Sequence, residues 1–384
     1  MNLSAPYTKP GGSVAQPRER IIAIDALRGF DMFWIAGGRE VLLIAVAAFK
    51  DPAPPWLAHQ FEHSEWIGFT AWDLIMPLFL FVVGAAMPFA FARRLEERQS
   101  KGQLYAKIIR RTLILFVLGM AVQGHLLDFN LATLHIFANT LQAIAVGYFI
   151  TAIVILNLGV AGQLAFAALM LVAYWLILRF VPLGGFPAGA LEEHANAALA
   201  VDQFVLGRFI DGTNPPYTWV LSGMTFTVSV LMGVFGGELL RSRLSPRGRV
   251  GALTAAGLAC LAAGWAWDEY GGLPIIKHIW TSSMTLWAGG WCYLLLSLFY
   301  LLIDVLGFRR WAFPFVVIGS NALLIYVLWD LKSLNPFPMM SKALSGGLAA
   351  HCGSAGPFLL AFTAVALWWM ILYYLYRQKV FLRI

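Results

Sequence analysis

The sequence predicts an all-α, polytopic integral membrane protein, and its composition and charge pattern support that prediction. Of the 384 residues, 60% are hydrophobic and only 12% are charged, whereas about a quarter of the residues in soluble domains are charged. The apolar residues form long runs, and the basic residues lie mostly in the short stretches between them. The net charge of +7 therefore reflects membrane topology, and no nucleic-acid partner is expected.

Ten apolar runs are long enough to cross a membrane, since a helix needs about 20 residues to span the hydrocarbon core. We therefore expect about ten transmembrane helices. The fourth and fifth runs are separated by only a few residues around Asn157, which predicts a tight hairpin. The predicted spans lie near residues 22–48, 68–92, 107–124, 134–157, 161–182, 217–240, 250–267, 279–304, 311–330 and 356–377.

The basic residues also predict the orientation. Ten spans place both termini on one side, and most of the 27 lysines and arginines lie there, in the termini and in loops 93–111, 241–249 and 309–310. Because cytoplasmic loops are enriched in Lys and Arg, both termini are expected in the cytoplasm. Residues 1–20 are polar and are expected to be a disordered cytoplasmic tail. Residues 21–384 are expected to form a single transmembrane domain, in a bacterial inner (plasma) membrane.

The opposite, outer side carries the histidines. All seven histidines fall on that side or at its rim, although histidine is also simply tolerated in loops. Two longer outer segments, 183–216 and 331–355, are placed to cover a site there. The first includes Glu192, Glu193 and Asp202 and is expected to form a short amphipathic helix.

The first predicted span contains unusual charges. Asp25 and Arg28 are three residues apart and share a helix face. They form either an ion pair that anchors the helix at the interface or a site in which Arg28 binds an anion such as phosphate. Further along, Gly37-Gly38-Arg39-Glu40 predicts a break in the helix that lines a cavity. We therefore take Arg39 and Glu40 as candidate substrate-binding residues.

The loop before the second span holds two histidines and three carboxylates, and ionisable groups beside a membrane span are functional candidates. His59-Gln-Phe-Glu62-His63 fits the H-x-x-E-H pattern of certain zinc peptidases. That chemistry needs the five residues on one helix and a third ligand elsewhere, and no downstream acidic motif supplies it. The three cysteines are far apart and indicate no metal site. No bound metal is therefore expected.

The alternative role for His63 is that of a general base, because imidazole titrates near neutral pH. Asp73 is the candidate partner carboxylate. Ten residues on a straight helix would separate the two side chains by about 15 Å, so direct contact requires the chain to fold back around Gly68. Trp66 and Trp72 are suited to stacking on a sugar ring, and equally to an interfacial aromatic belt.

These residues resemble the signature of a known family. The run His63-Ser-Glu-Trp66-Ile-Gly68-Phe-Thr70-Ala-Trp-Asp73-Leu-Ile-Met-Pro77 is similar to that of the heparan-α-glucosaminide N-acetyltransferase family of transmembrane acyltransferases. Further matches follow in the expected order, and together they cover most of the chain. They are Asp25-Ala-Leu-Arg28-Gly29, Leu141-Gln142, Pro274-Ile-Ile-Lys277-His-Ile-Trp280-Thr-Ser-Ser283 and Gly319-Ser-Asn321-Ala-Leu-Leu-Ile-Tyr326. The chain departs from the family at Ala143, where an Arg is common, and at Pro216–Ser222, where an acidic stretch is common.

The resemblance implies transfer of an acetyl group from cytoplasmic acetyl-CoA to an amino sugar or glycan on the far side of the membrane. His63 matches the family's active-site histidine, and Asp73 a motif acid close to it. Whether an acetyl-histidine intermediate forms is left open, and so is a homodimer. Trp66 joins Arg39 and Glu40 as a candidate for binding the saccharide acceptor. Candidate residues for binding CoA are Arg28, Lys277, Trp280, Ser283 and Asn321.

Two alternatives remain open from the sequence. Trp280, Ser283 and Asn321 are also explained by hydrogen bonding between helices. The protein as a whole is alternatively a secondary transporter of a sugar or organic anion, with its buried charges as the coupling site. A transporter of this kind would show inverted repeats and charges near the midplane; the sequence shows no repeat, and its charges cluster toward the ends of the spans.

Overall fold

The structure, a computed structural model, describes residues 21–49, 54–96, 99–212, 215–331 and 335–382. The predicted tail, residues 1–20, lies outside the described residues. The prediction of an all-α membrane protein is confirmed, because these segments are almost entirely helical. Their strands form one small antiparallel hairpin, in which β1 (Leu191–Glu192) pairs with β2 (Ala195–Asn196).

Fifteen α-helices are found in the described part of the chain, with short 3-10 and π-helical turns between some of them. The α-helices are α1 (Ile22–Phe33), α2 (Arg39–Phe49), α3 (Pro55–Gln60), α4 (Ile75–Glu96), α5 (Lys101–Val122), α6 (Thr140–Asn157), α7 (Val160–Phe180), α8 (Ala197–Leu206), α9 (Gly223–Arg241), α10 (Pro246–Tyr270), α11 (Ser282–Tyr300), α12 (Phe313–Ser320), α13 (Ala322–Asp330), α14 (Phe337–His351) and α15 (Gly356–Arg377).

Seven of the ten predicted spans correspond to helices that are long and apolar enough to cross a membrane, within the described residues. The ninth corresponds to α12 and α13, which are bent by 74° at Asn321 and count as an eighth span if taken together. The first is divided into α1 and α2 by a π-helical turn, and the third, α5, carries Lys107, Arg110 and Arg111. A polytopic integral membrane protein follows from these helices.

The outer segments differ from the sequence expectation in part. Within 183–216, a helix does form (α8), but Glu192 lies in the hairpin that precedes it. Asp202 is buried in α8 and accepts hydrogen bonds from the backbone N–H groups of Trp219 (2.7 Å) and Val220 (2.8 Å). Segment 331–355, expected to be an outer segment placed to cover a site, contains the helix α14, whose Ser341 hydroxyl donates to the carbonyl of Leu360 in α15.

Contacts divide the chain into two compact units. The first unit comprises Glu65–Phe69 and Met76–Leu298, and the second comprises Ile21–Ser64, Thr70–Ile75 and Phe299–Ile384. That residues 21–384 act as a single transmembrane domain stays a prediction.

In the first unit, α4 and α9 pack with their backbones in contact. A Cβ atom placed on Gly84 would overlap the carbonyl oxygen of Val230, and one on Gly233 would overlap that of Phe81. Small residues let membrane helices approach in this way. A cluster of buried side chains adds a second centre of packing in this unit, formed by Tyr174, Leu178, Ala197, Ala198, Leu273, Ile276 and Ile279.

In the second unit, two of the family-like motifs interlock. A Cβ atom on Gly29 of α1 would overlap the carbonyl oxygen of Phe315 in α12, and one on Gly319 of α12 would overlap that of Asp25 in α1. The glycines of these motifs are therefore explained by close packing of the two helices. The two carboxylate oxygens of Asp304 accept hydrogen bonds from the backbone N–H groups of Ile22 (3.1 Å) and Ala23 (3.0 Å), the first two residues of α1. N–H groups at the start of a helix have no acceptor within the helix, and Asp304 supplies one.

Candidate active site

The chain reverses direction between His63 and Asp73, as contact between them requires. Helix α3 ends at Gln60, and Gly68 adopts a φ of 121°, which glycine adopts without the steric cost of a Cβ. A single 3-10 turn at Trp72–Leu74 follows. His63 Nδ1 consequently lies 2.8 Å from Asp73 Oδ1, so the contact that the sequence made conditional on a chain reversal is present.

The Asp73 carboxylate is fully buried and well supplied with donors. Its Oδ2 accepts hydrogen bonds from the backbone N–H groups of Ser64 (3.2 Å) and Thr70 (3.1 Å). The Thr70 hydroxyl donates to the Glu62 carbonyl at 2.6 Å and also lies 3.2 Å from Oδ2. These donors replace the water that a buried carboxylate loses. The loop is thus folded around Asp73, which in turn fixes the orientation of the His63 ring.

His63 is accessible, in contrast to its partner: 43% of its side chain is exposed and none of that of Asp73. A carboxylate at Nδ1 favours the tautomer with the proton on that nitrogen, since a carboxylate only accepts hydrogen bonds. The lone pair of His63 then lies on Nε2. An exposed imidazole held in this way is suited to take a proton from an amine or hydroxyl.

Aromatic side chains and one arginine line the same part of the second unit. The rings of Trp34, Phe61 and Trp72 follow one another with centroid distances of 5.3 Å and 6.5 Å; we call these three residues the aromatic wall. The His63 ring lies 6.3 Å from Trp72. The guanidinium of Arg39 lies 5.1 Å from the centroid of the Trp72 ring, whereas Glu40 is exposed.

Trp66, predicted to bind substrate, belongs to the first unit and has a different setting. Its ring stacks on His278 at 5.3 Å, and His278 stacks in turn on Tyr217 at 5.0 Å. The Trp66 indole N–H donates to the Leu191 carbonyl. The ammonium group of Lys277 lies 5.6 Å from the Tyr217 ring centroid, and this lysine is only 2% exposed. A role of Trp66 in binding substrate stays a prediction.

The other candidate residues for CoA binding make intramolecular contacts. The Trp280 indole N–H points to the Ser229 hydroxyl at 3.3 Å, and the Ser283 hydroxyl donates to the Pro274 carbonyl at 3.0 Å. Asn321 joins the bend between α12 and α13 to the C-terminal segment, through Val380 and Leu382. Arg28 lies 3.6 Å from Asp25, as the ion-pair interpretation expects. Binding of CoA by these residues stays a prediction.

The H-x-x-E-H interpretation of residues 59–63 meets a geometric obstacle. It needs both histidines on one helix, but α3 ends at Gln60, and Nδ1 of His63 faces Asp73. Within the described residues, no group of three or more His, Cys, Asp or Glu side chains is arranged to hold a metal ion. The helical arrangement that the peptidase motif requires is therefore not formed.

Sequence reasoning overlooked two features. Thr70-Ala-Trp-Asp73 has the S/T-x-x-D/E spacing of a capping box, and the contact from the Thr70 N–H to Asp73 is the one such a motif makes; this signal was available. Asp31, in α1, is fully buried, and neither carboxylate oxygen has a hydrogen-bond partner in the part of the chain that the structure describes. Nothing in its sequence context indicated that isolation.

Comparisons with known proteins agree with the motif resemblance. A family model described as "Domain of unknown function (DUF5009)" matches residues 20–196. The chain is 25% identical, over 378 aligned residues, to heparan-alpha-glucosaminide N-acetyltransferase of Mus musculus and to the Homo sapiens protein of the same name. Each alignment covers 84% of this chain but 56% of the relative, so the chain spans little more than half the length of these relatives.

A shorter similarity links the chain to another transferase. Over 58 residues, 15% of this chain and 21% of the relative, it is 43% identical to phosphatidylglycerol–prolipoprotein diacylglyceryl transferase 1 of Clostridium perfringens (strain 13 / Type A). The longer alignments confirm the family-level prediction: the chain is a distant relative of the heparan-alpha-glucosaminide N-acetyltransferases.

Proposed function

We propose that this distant relative of the heparan-α-glucosaminide N-acetyltransferases is a transmembrane acyltransferase. It moves an acetyl group from cytoplasmic acetyl-CoA to an amino sugar or glycan on the extracytoplasmic side. The observation that carries the proposal is the His63–Asp73 pair, which joins an exposed imidazole to a buried, fully hydrogen-bonded carboxylate. The proposal retains ten spans, both termini in the cytoplasm and a bacterial inner membrane.

The chemistry follows from the protonation state that the pair favours. With its Nδ1 proton held by Asp73, His63 offers the Nε2 lone pair to the attacking amine or hydroxyl. The acceptor's nucleophilic atom bonds to the thioester carbonyl carbon, and the C–S bond breaks. The proton taken up by Nε2 then passes to the departing CoA sulfur, so the products are the acetylated acceptor and free CoA thiol. Asp73 stabilises the imidazolium that forms in between.

The donor is proposed to be held by Arg28, Lys277, Trp280, Ser283 and Asn321. Arg28 is suited to a CoA phosphate because guanidinium binds phosphate bidentately. Lys277 would contribute a positive charge beside the Tyr217 ring. These assignments rest on the family motifs that contain the residues, and they need a test of their own, such as the Michaelis constant for acetyl-CoA in each variant.

Substitution of His63 tests the proposal. Purified full-length protein in detergent is incubated with labelled acetyl-CoA and a panel of amino sugars. We expect transfer in the wild type and a loss of about a hundredfold to ten-thousandfold in His63→Ala, the range typical of a lost general base. His59→Ala is the matched control, since His59 is an exposed histidine in the last turn of α3, four residues before His63, and the activity of this variant should persist.

The same preparation distinguishes the transporter alternative. Reconstituted vesicles that take up sugar equally well with His63→Ala, and that release no CoA from acetyl-CoA, would establish transport and exclude the acyltransferase. CoA release that requires both the acceptor and His63 would establish the enzyme.

A further inference from the structure

Two histidines in the first unit lie side by side, each against a carboxylate of its own. His125 Nδ1 lies 3.0 Å from Asp128 Oδ2, and His135 Nδ1 lies 3.2 Å from Asp211 Oδ1. The centroids of the two imidazole rings are 5.4 Å apart, and the ring planes meet at 83°. The proposed transfer reaction gives none of these four side chains a role.

The backbone holds the two histidines together. The N–H of His135 donates to the Gly124 carbonyl at 3.0 Å, and a Cβ atom on Gly124 would lie only 2.5 Å from the His135 carbonyl oxygen. His125 adopts a φ of 56°, a left-handed conformation that persists at such a residue only where its surroundings hold it. The N–H that follows His135 donates to the Phe209 carbonyl at 3.1 Å, two residues before Asp211.

The two carboxylates determine which ring nitrogens are left to bind a ligand. A carboxylate only accepts hydrogen bonds, so Asp128 and Asp211 favour a proton on Nδ1 of each histidine and a lone pair on each Nε2. Histidines that bind metals have this arrangement, with one ring nitrogen on the ion and the N–H of the other donated to a carboxylate. Neutral imidazoles suit Zn²⁺ and neighbouring transition-metal ions.

The separation of the rings fits one shared ion. Two imidazoles bound at about 2.0–2.1 Å to a tetrahedral Zn²⁺ have ring centroids about 5 Å apart, close to the observed 5.4 Å. The side chain of His125 is 53% exposed, which leaves room for water ligands. The described residues contain no group of three metal-binding side chains; here only the two histidines would be ligands, because the carboxylates face Nδ1.

We propose that His125 and His135 bind one transition-metal ion of the Zn²⁺ class through their Nε2 atoms, with water completing the coordination. Asp128 and Asp211 are positioning residues that orient the two rings. The ion would join the loop that follows α5 to the segment that follows α8. This inference departs from the sequence expectation of no bound metal, and it does not rest on the proposed acyltransferase function.

Calorimetric titration with ZnCl₂ tests the two ligands. The full-length protein is purified without a histidine-containing tag and stripped with a chelator. Wild type should bind one Zn²⁺ per protein, and His125→Ala and His135→Ala should each lose the binding that is measurable at the same concentrations. MgCl₂ and CaCl₂ should give no binding at the two histidines, because these hard cations prefer oxygen ligands.

Substitution of the carboxylates tests the orienting contacts. Asp128→Ala and Asp211→Ala should each bind Zn²⁺ about tenfold to hundredfold more weakly, the usual cost of losing such a partner. Because Asp128 is 53% exposed, its substitution leaves the fold intact and keeps the test decisive. His63→Ala is the matched control, since His63 also contacts a carboxylate but has the Trp72 ring beside it in place of a second imidazole; its Zn²⁺ affinity should equal that of the wild type.

Thermal unfolding in detergent gives a second readout. Zn²⁺ should raise the Tm of the wild type, since a ligand that binds the folded state stabilises it, and should leave unchanged the Tm of a protein that carries both His125→Ala and His135→Ala. A wild type that binds no Zn²⁺ overturns the inference. Wild-type affinity in His125→Ala and His135→Ala also overturns it, as does loss of binding in His63→Ala alone.

Discussion

Asp73 and Asp31 lie in the same unit of the protein and are equally buried, with no exposed surface on either. Their partners differ completely. Asp73 contacts His63 through one oxygen and receives N–H groups of Ser64 and Thr70 on the other. Asp31 has no hydrogen-bond partner on either oxygen within the described residues. Burial alone therefore does not identify a site; the supply of partners separates the two carboxyl groups.

Asp202, in the first unit, is an intermediate case. It is also buried, and it accepts two backbone N–H groups but contacts no titratable side chain in the hydrogen bonds described. Burial raises the pKa of Asp202 to about 6, although the hydrogen bonds from Val220 and Trp219 lower it. Backbone donors alone thus do not fully offset the lost hydration. Asp73 differs in having the imidazole of His63 as an additional partner.

The largest effect is expected for Asp73→Asn. The amide cannot accept hydrogen bonds on both positions, so its NH₂ group faces either the Nδ1–H of His63 or the N–H groups of Ser64 and Thr70. In the first arrangement His63 is forced into the tautomer with its proton on Nε2, and in the second the N–H groups of Ser64 and Thr70 lose their acceptor. We expect acetyl transfer to fall about a hundredfold to ten-thousandfold, measured as kcat/KM with the preferred amino sugar.

A second histidine–aspartate pair supplies the control for that experiment. His125 Nδ1 lies 3.0 Å from Asp128 Oδ2, and both side chains are 53% exposed. Asp128→Asn should leave transfer unchanged. Near-normal activity of Asp73→Asn would show that the buried carboxylate does not set the protonation state of His63. The hydrogen-bond partners of Asp73 would then not mark it as functional in comparison with Asp31.

A smaller effect is expected for Gly68→Ala, which tests how the partners of Asp73 are assembled. At a φ of 121° an alanine is strained even though nothing lies within 4 Å of the added Cβ. We expect a loss of about 1–3 kcal/mol in the free energy of unfolding and lower activity, as the reversal that brings His63 to Asp73 is disturbed. Thermal unfolding in detergent and the transfer assay measure both.

Gly251→Ala is the matched control for Gly68→Ala. Gly251 lies inside α10, with nothing within 4 Å of an added Cβ and an ordinary helical φ, so alanine should be neutral or stabilise by up to about 1 kcal/mol. A Gly68→Ala protein that matches this control in stability and activity would mean that the chain reversal does not depend on glycine.

The site was predictable where its signals were local in sequence. The ten-residue separation of His63 and Asp73 required a reversal, and Gly68 was the residue that permits it. The helix break before Arg39 was likewise predicted from paired glycines, and the structure has a π-helical turn there. Both features depend on backbone preferences of particular residues, which a sequence carries directly.

The features that could not be predicted from the sequence depend on contacts between residues far apart in the chain. The glycines of the first and last motifs lie against the backbone of the other helix, Gly29 against Phe315 and Gly319 against Asp25. This close packing could not be predicted until α1 and α12 were known to be neighbours. The 74° bend between α12 and α13, inside the predicted ninth span, was missed for a similar reason, because apolar runs fix length but not bends. Asp31 looked like one more charge in a helix until its surroundings were known.

Asp31→Asn is expected to have the smallest effect, and it tests whether the buried carboxyl group without hydrogen-bond partners is needed for activity. No hydrogen bond to the carboxyl group is broken, because none is made by the described residues, and an amide of the same shape replaces it. The free energy of unfolding should change by less than about 1 kcal/mol, since no donor or acceptor loses its partner, and transfer should stay close to that of the wild type. Thermal unfolding and the acetyl-transfer assay on one preparation measure both quantities. A loss of transfer approaching that of Asp73→Asn, with stability kept, would give Asp31 a functional role, and isolation from partners would then no longer distinguish the two aspartates.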